Sequence, residues 1–300
     1  MNIDQYTKYE IKDELHFVET EHGFTNVEIN NSRARALIST YSGQLLSYRP
    51  INEKNDLLFV SDKAYYENGK AIKGGIPVCW PWFGPDPDHL GRPAHGFVRT
   101  RQWEVSASES LADGSTRVVL GLADTDETRK IWPHAFKLNI EITVGDSLKV
   151  ALVTHNTDDK SVIISQALHT YFQVGDIGKV KLLGLDGTEY LDKVDGFARK
   201  TQSGPVTIKG EVDRIYTGVS EELLIDDESL GRRIRIISTG CSTAVVWNPW
   251  IEAAASMGDL GDEDYKKMLC VETANAGPES IEIAAGGEYR LEAQYTIERS

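Results

Sequence analysis

Cysteines and metal-binding motifs are scarce in this 300-residue sequence. It has three cysteines, Cys79, Cys241 and Cys270, and two of them lie in apolar strand-like runs. An odd number of cysteines in such surroundings argues against a disulfide framework. We therefore predict buried free thiols and a cytoplasmic protein. The sequence contains no CxxC or HExxH spacing, so we predict no metal site. It also contains no Walker motif, GxGxxG or Ser-His-Asp signature, so neither nucleotide binding nor catalysis by such a triad is predicted.

Long apolar runs and positive charge are also missing. No run approaches the about 20 residues of a membrane span, and the N-terminal sequence MNIDQYTKYEIKDE is too polar for a signal peptide. Lysine and arginine total 32 against 46 acidic residues, which gives a net charge of −14. This balance argues against a nucleic-acid or membrane partner, because both need a basic face. A local cluster of cations could still bind a small anionic ligand.

Apolar and polar residues alternate with a period of two along most of the chain, which is typical of half-buried strands. Helical periodicity is almost absent, apart from one or two turns over 125–131. Segment 162–174 is apolar on both faces and is predicted as one central strand, whereas 186–218 is weakly patterned and predicts long loops. The predicted strands are 15–20, 25–30, 34–40, 44–49, 57–60, 103–108, 117–122, 137–144, 148–156, 162–174, 179–185, 223–225, 232–237, 243–247, 268–272 and 289–297.

Strands this numerous, mostly short and separated by Gly, Asn and Asp, predict an all-β fold. The expected architecture is a large antiparallel β-sandwich or barrel. No linker, low-complexity tract or clear internal repeat interrupts the pattern, so residues 1–300 are predicted to form a single domain.

One stretch differs from the rest: residues 73–99, KGGIPVCWPWFGPDPDHLGRPAHGFVR. It contains five of the ten prolines, two of the six tryptophans and two of the seven histidines. Proline removes backbone donors and fixes φ, so no long helix or central strand is expected there. A segment of this length is either an Ω-loop packed by its own aromatic residues or a functional loop, and the functional reading is favoured.

Two titratable residues lie in strongly apolar surroundings. His169 lies in ALHTYF, and Glu272 lies in MLCVETAN. Each has a structural alternative, a hydrogen-bonded core histidine and a strand-end glutamate that meets solvent. Glutamate is almost never buried without a partner, so Glu272 is the stronger signal. A histidine and a glutamate facing one pocket would make an acid and a base near neutral pH.

Cations and aromatic rings could complete such a pocket. Lys73, Arg92, Arg99 and Arg101 are four positive groups in one part of an acidic chain and could hold a phosphate, although solvated surface charge is the usual fate of such residues. Four tryptophans offer ring faces that suit sugar C–H groups: Trp80, Trp82, Trp247 and Trp250. Core packing is the alternative, and it is expected for at least two of the four.

Five motifs, KGGIPVCWPWFGP, PAHGFVRTRQWEV, ALHTYFQVGDI, VVWNPW and CVETAN, occur in an order that resembles the aldose 1-epimerase (galactose mutarotase) superfamily. The likeness covers roughly residue 25 to the C-terminus and is strongest to the bacterial hexose-6-phosphate mutarotases, also called glucose-6-phosphate 1-epimerases. It implies a galactose mutarotase-like β-supersandwich, and a soluble, cytoplasmic and monomeric isomerase that needs no cofactor.

The resemblance also implies roles for particular residues. The catalytic histidine and glutamate of the family fall on His169 and Glu272. Substrate-binding positions fall on His95 of the HGF motif, on Arg99 and on Asp213. Trp247 is a further substrate-binding candidate from VVWNPW. Two positions depart from the family: Lys73 stands where relatives have arginine, which loses the bidentate fork, and Ala94 stands where some relatives have glutamine.

The predicted function is therefore the interconversion of α and β anomers of glucose 6-phosphate and related aldose 6-phosphates by acid/base ring opening, with a small sugar phosphate as partner. Three alternatives stay open from the sequence. They are a mutarotase of unphosphorylated aldoses, a non-catalytic sugar-phosphate-binding module, and a glycoside hydrolase, which usually needs two carboxylates.

Overall fold

The computed structural model describes residues 3–299, and within them strands far outnumber helices. Two α-helices occur in this range, α1 (Asp126–Ile131) and α2 (Trp250–Ser256). Short 3-10 segments lie at Ile3–Tyr9, Val98–Thr100, Ile177–Lys179, Lys193–Asp195 and Asp264–Lys266. The strands, in chain order, are β1 (Leu15–Glu19), β2 (Thr25–Asn30), β3 (Ala34–Ser39), β4 (Gln44–Pro50), β5 (Val78–Cys79), β6 (Glu104–Ser110), β7 (Thr116–Ala123), β8 (Phe136–Val144), β9 (Leu148–Asn156), β10 (Val162–Ile164), β11 (Gln166–Leu168), β12 (Tyr171–Gln173), β13 (Val180–Leu183), β14 (Glu189–Asp192), β15 (Ala198–Thr201), β16 (Val212–Thr217), β17 (Glu222–Asp227), β18 (Arg232–Thr239), β19 (Thr243–Asn248), β20 (Met268–Asn275), β21 (Ile281–Ile283) and β22 (Glu288–Arg299).

The strands form two eight-stranded sheets, a four-stranded sheet and a two-stranded ribbon, all antiparallel. The β22 sheet has the order β13-β17-β18-β22-β9-β8-β7-β6. The β20 sheet has the order β15-β14-β16-β19-β20-β11-β5, with β12 also paired to β20. The two sheets touch where Tyr295 of β22 packs edge-on against Phe172 of β12 and hydrogen-bonds Thr170. The all-β antiparallel prediction is confirmed, and the two large sheets make the architecture a sandwich.

Burial along the strands explains which segments were recognisable. In β8 every second side chain from Phe136 to Val144 is buried, as period-two alternation predicts. β20 is different, because all eight of its residues are buried, including Glu272. A strand that is buried on both faces is covered by other parts of the protein on each side. One face of β20 packs on the core, and a second layer must therefore cover its other face.

The unusual segment 73–99 crosses the edge of the β20 sheet. Its only regular elements are the two-residue strand β5 and the 3-10 turn Val98–Thr100, so the absence of a long helix or central strand is confirmed for this segment. The Trp80 indole N–H donates to the Thr154 hydroxyl at 3.1 Å, and the ring packs against Trp132 and Phe136. Gly96 has φ 73°, and a Cβ there would lie 1.8 Å from the Trp80 carbonyl oxygen, so only glycine fits this crossing.

The single central strand predicted over 162–174 is wrong. The chain forms β10, β11 and β12 there, with breaks at Ser165 and at residues 169–170. The breaks occur because backbone N–H groups turn to the neighbouring segment: Ser165 donates to the Pro81 carbonyl and His169 to the Pro77 carbonyl, each at 3.0 Å. The apolar run is buried as expected, but it pairs with three different partners.

The prediction of long loops over 186–218 is wrong for most of this segment. β14, β15 and all of β16 lie there and form one edge of the β20 sheet, whereas 202–211 is an irregular connection without a named strand or helix. The edge strand β15 has no buried residue, so it lacks an alternation of apolar and polar side chains that the sequence could reveal. The helical turns over 125–131 are confirmed by α1, which Thr125 and Thr128 close with reciprocal capping bonds.

Other expectations concern thiols and membranes. All three cysteines are free; Cys79 and Cys270 are buried, and Cys241 is only partly buried. Within residues 3–299, no helix is both long enough and apolar enough to cross a bilayer.

We expect Trp80 to be a main anchor of segment 73–99. Trp80→Phe removes the N–H donor to the buried Thr154 and part of a fully buried ring, and should lower the free energy of unfolding by about 1–3 kcal/mol. Urea unfolding measures this loss. Trp250→Phe, at a partly exposed ring, is the control and should cost less. Equal losses in the two variants would contradict the anchoring role.

Candidate active site

Strand register gathers several polar side chains on one face of the β20 sheet. Val245 of β19 pairs with Glu272 of β20, and Trp247, two residues further along β19, pairs with Asp213 of β16. Residues two apart on a strand share a face, so Asp213, Trp247, Val245 and Glu272 point to the same side. They line a cavity of about 220 Å³. Its full lining is Lys73, Phe83, His95, Arg99, His169, Tyr171, Lys193, Asp213, Val245, Trp247, Met257 and Glu272.

The cavity brings together all seven candidate site residues of the sequence. Glu272 and Asp213 come from strands, while His169 lies at the break between β11 and β12. Segment 73–99 supplies three more. The seven are Lys73, His95, Arg99, His169, Asp213, Trp247 and Glu272. Their placement in one cavity is what a substrate-binding site requires; their individual roles stay predictions.

His169 and Glu272 are in direct contact. His169 Nε2 lies 3.4 Å from Glu272 Oε1, and the side chains are 10% and 1% exposed. The imidazole stacks on Tyr171 with ring centroids 4.9 Å apart. Among residues 3–299, neither His169 Nδ1 nor Glu272 Oε2 has a hydrogen-bond partner. Buried polar atoms without a partner are rare, and in a cavity such atoms are available to a ligand.

Burial opposes a charge on either member of this pair. Burial is the main cause that raises the pKa of Glu272 well above its usual value, and nearby Asp213 raises it further. Burial likewise lowers the pKa of His169 well below its usual value, and the electrostatic effects of His95, Arg99 and Lys73 lower it further. Ordinary pKa values predict an ionised glutamate and a readily protonated histidine. The free site instead favours the neutral pair, with one proton on Glu272.

His95 is a neutral neighbour of this pair. Its ring centroid lies 5.7 Å from that of His169 and 4.8 Å from that of Phe83. The Gly84 N–H donates to His95 Nδ1 at 3.4 Å, so the ring proton is on Nε2. Burial, with Arg99 next, lowers the pKa of His95 to about 3. His95 is therefore a hydrogen-bond donor of fixed tautomer at physiological pH.

The cations of the cavity differ in what already neutralises them. Lys73 Nζ lies 3.4 Å from an oxygen of Asp259, outside the cavity lining. Lys193 Nζ lies 2.5 Å from Asp213 Oδ2. Arg99 donates to the Ala94 carbonyl at 3.0 Å and forms no ion pair with any residue from 3 to 299. Arg99 is thus the cation with the most free capacity for an anion.

Arg92 and Arg101, which the sequence analysis grouped with Lys73 and Arg99, lie outside the cavity. Arg92 binds Asp86 and Asp88, each at 2.5 Å, and its guanidinium stacks on Trp82. Arg101 pairs with Glu127 at 3.1 Å. Neither lines the cavity, so the expectation of four clustered cations is wrong for these two. Both arginines form ion pairs with acidic residues outside the cavity, and these ion pairs could not be read from the number of charges in the sequence.

Lys193 is the charged residue of the cavity lining that the sequence analysis did not name as a site candidate. It follows β14 directly, in a region where no strand was predicted, and no motif surrounds it. Only the hairpin β14–β15 and its pairing with β16 place it beside Asp213.

The tryptophans divide as expected. Trp80 and Trp82 are buried core residues that pack on Phe97. Trp247 lines the cavity and meets the His169 ring edge-on at 6.2 Å. Trp250 begins α2 and packs on Tyr265, outside the cavity.

The fold recurs among solved structures. A galactose mutarotase related enzyme from Lactobacillus acidophilus has a TM-score of 0.74 at 13% identity, with 91% of this chain and 97% of that chain covered, which shows the shared fold. The architecture is thus the galactose mutarotase-like β-sandwich that the motifs implied. Residues 25–296 match the family described as aldose 1-epimerase, and the chain belongs to that family.

More similar relatives share this class. A protein of Escherichia coli K12 is 38% identical over 251 residues, 83% of each chain, and one of Cenchrus ciliaris is 35% identical over 283 residues, 91% of this chain and 84% of that one. Both are provisionally named glucose-6-phosphate 1-epimerase. The solved structure of a provisionally named mutarotase, YeaD of Salmonella typhimurium, has a TM-score of 0.90 at 30% identity, with 97% of this chain and 96% of that chain covered. The protein is therefore an aldose 1-epimerase, or mutarotase, and so an isomerase.

We expect the contacting pair to be required for anomer exchange. Glu272→Gln and His169→Ala each remove one proton-transfer group and should each slow exchange by about 10²–10⁴-fold. NMR exchange spectroscopy on an accepted aldose measures the rate, and circular dichroism checks the fold. Glu282→Gln, at an exposed position of β21, is the matched control and should keep full activity. Near-normal turnover in either site variant would refute this assignment.

The pH dependence should follow the proton count of the pair. As pH falls through the lowered pKa of His169, the pair gains a second proton; as pH rises through the raised pKa of Glu272, it loses its last one. Activity should be highest between these limbs and fall on both sides. Exchange rates corrected for the uncatalysed reaction, measured over the pH range in which the protein stays folded, test this. A single limb would contradict the coupled pair.

Proposed function

We propose that this aldose 1-epimerase acts on hexose 6-phosphates, with glucose 6-phosphate as the reference substrate. The observation that carries the proposal is one cavity that contains both the His169–Glu272 pair and three cations, Lys73, Arg99 and Lys193, in a chain of net charge −14. A phosphate dianion is bound most strongly by charge-assisted hydrogen bonds, and arginine suits it best. The names of the Escherichia coli and Cenchrus ciliaris relatives agree with this substrate class.

Ring opening needs one proton removed and one supplied. From the neutral pair, Glu272 passes its proton to His169 across the 3.4 Å contact. Glu272 then takes the proton of the anomeric hydroxyl at O1, while His169 gives its proton to the ring oxygen O5. The C1–O5 bond breaks as the C1–O1 double bond forms, which yields the open-chain aldehyde. After rotation about C1–C2, the reverse transfers close the ring as the other anomer.

The other lining residues would hold the sugar during this rotation. The Nε2–H of neutral His95 donates to a sugar oxygen, and the Asp213 carboxylate accepts from a hydroxyl. The indole of Trp247 offers an apolar face to sugar C–H groups. Arg99, free of any ion pair among the described residues, would contact the phosphate first. The reaction has a modest uncatalysed barrier, which two positioned proton transfers can lower sufficiently.

A second candidate is a mutarotase of unphosphorylated aldoses. The observation in its favour is that Lys73 and Lys193 already have carboxylate partners, Asp259 and Asp213. A neutral sugar would leave both ion pairs intact. The two candidates share the acid/base chemistry and differ in what Arg99 is used for.

Anomer exchange of glucose 6-phosphate, compared with free glucose and galactose, separates the two candidates. Acceleration largely confined to the phosphorylated sugar is the expected result. Equal or faster exchange of the free sugars would refute the 6-phosphate assignment.

Arg99→Met should weaken this preference. Loss of a charge-assisted contact costs about 1.5–3 kcal/mol, so KM for glucose 6-phosphate should rise by roughly tenfold or more, with little effect on a free aldose. Arg101→Met removes the same charge two residues away, from an arginine that pairs with Glu127 outside the cavity. It is the matched control and should behave as the wild type. An unchanged KM in Arg99→Met would remove Arg99 from the phosphate site.

A further inference from the structure

Lys193 has no assigned role, yet it lies inside the cavity. It begins the 3-10 turn Lys193–Asp195 that connects β14 to β15, and Gly196 ends this turn at φ 58°. From there its ammonium reaches Asp213 Oδ2 at 2.5 Å, and the two side chains are 23% and 21% exposed. Another lysine of this hairpin, Lys200, pairs with Asp192 and Asp195 outside the cavity. Lys193 is thus the cation that the hairpin contributes to the site.

The cavity contains two carboxyl groups that repel each other when both are ionised, and Lys193 lies beside one of them. Asp213 and Glu272 are two carboxylates in a space of about 220 Å³. Like charges in a poorly hydrated site repel each other, so an ionised Asp213 opposes ionisation of Glu272. The other titratable or charged groups that face Glu272 come from β20, from the β11–β12 break and β12, and from segment 73–99. They are Cys270, His169, Tyr171, Lys73, Cys79, His95 and Arg99.

We propose that Lys193 is a positioning residue of the active site. Its ammonium fixes the Asp213 carboxylate by one oxygen, leaves Oδ1 for a sugar hydroxyl, and cancels the charge of Asp213 so that Glu272 can give up its proton in the same cavity. The proposal rests on the proton-transfer role given to Glu272 under the proposed function, but not on the phosphate group of the substrate.

The electrostatic effects on Glu272 have the matching signs. After burial, the charge of Asp213 is the next cause that raises the pKa of Glu272, and the charge of Lys193 is the first that lowers it. Lys193 also differs from Arg99, which has no carboxylate partner among residues 3–299. A lysine already held at 2.5 Å by Asp213 acts first on that carboxylate, and a phosphate bound to the same ammonium would have to share it with Asp213.

Titration of the Glu272 carboxyl in the free protein tests this directly. ¹³C NMR of protein labelled at the glutamate side-chain carboxyl follows the group, and the Glu272→Gln spectrum identifies its resonance. Lys193→Met should move the titration midpoint to higher pH, because a neighbouring positive charge is lost. Lys193→Arg keeps the charge and should restore the wild-type midpoint. Arg199→Met, at an exposed cation of β15 paired with Glu189, is the matched control and should leave the midpoint unchanged.

A cycle with Asp213→Asn tests whether Lys193 acts through Asp213. The single Asp213→Asn variant should move the midpoint to lower pH, and the double variant Lys193→Met/Asp213→Asn should return it close to the wild type. In turnover of whichever aldose the wild type accepts, Lys193→Met should lower kcat/KM by about tenfold or more. This loss should shrink when Asn already stands at position 213.

The outcomes are distinguishable from those of the proposed function. An unmoved Glu272 midpoint in Lys193→Met overturns the positioning role whatever the substrate is. Equal losses from Lys193→Met with Asp or Asn at position 213, seen with phosphorylated sugar alone, would make Lys193 a phosphate ligand and also overturn it. Failure of the wild type to prefer glucose 6-phosphate would refute the substrate assignment and leave the titration result intact.

Discussion

The burial of Glu272 is the constraint on which the rest of the site depends. β20 is buried along all its residues, and the carboxyl in the middle of this strand is 1% exposed. A carboxylate cannot be ionised in such a place without nearby compensation. The charges of Lys193 and Arg99 supply that compensation, and His169 contacts the carboxyl directly. Each of the three comes from a different part of the chain. The fold must therefore bring a strand break, a long irregular segment and an edge hairpin to one point on β20.

Segment 73–99 is irregular because it packs into the core on one side and lines the cavity on the other. On one side Trp80 packs into the core and bonds Thr154, and Gly96 lets the chain cross within contact of the Trp80 carbonyl. On the other side His95 and Arg99 face the cavity. A regular strand could alternate its side chains between two faces but could not make this crossing, and a helix could not supply carbonyls to Ser165 and His169. The same bonds break the apolar run 162–174, so the loop and the position of His169 are set together.

The sequence predicted what depends on local pattern and missed what depends on distant partners. Strands such as β8 were recognisable because one face is buried and the other is not. His169, Glu272 and Arg99 were found because each lies in a recognisable motif of consecutive residues. Lys193 was missed because its ion pair with Asp213 depends on strand pairing between residues that are distant in the sequence. Arg92 was misassigned because its ion pairs with Asp86 and Asp88 do not follow from a count of charges.

The charges of the site nearly cancel before any ligand binds. Asp213 neutralises Lys193, Asp259 neutralises Lys73, and the His169–Glu272 pair with one proton has no net charge. Arg99 is left as the uncompensated cation. Under the proposed function, a phosphate dianion gains one free partner and must compete with carboxylates for any other. Phosphate binding would then depend on how far the two lysines can be shared with their carboxylates, and not only on the number of cations. Competition at Asp213 would also remove the counter-charge that Glu272 needs, so a phosphate seated on Arg99 and Lys73, away from Lys193, is the arrangement compatible with turnover.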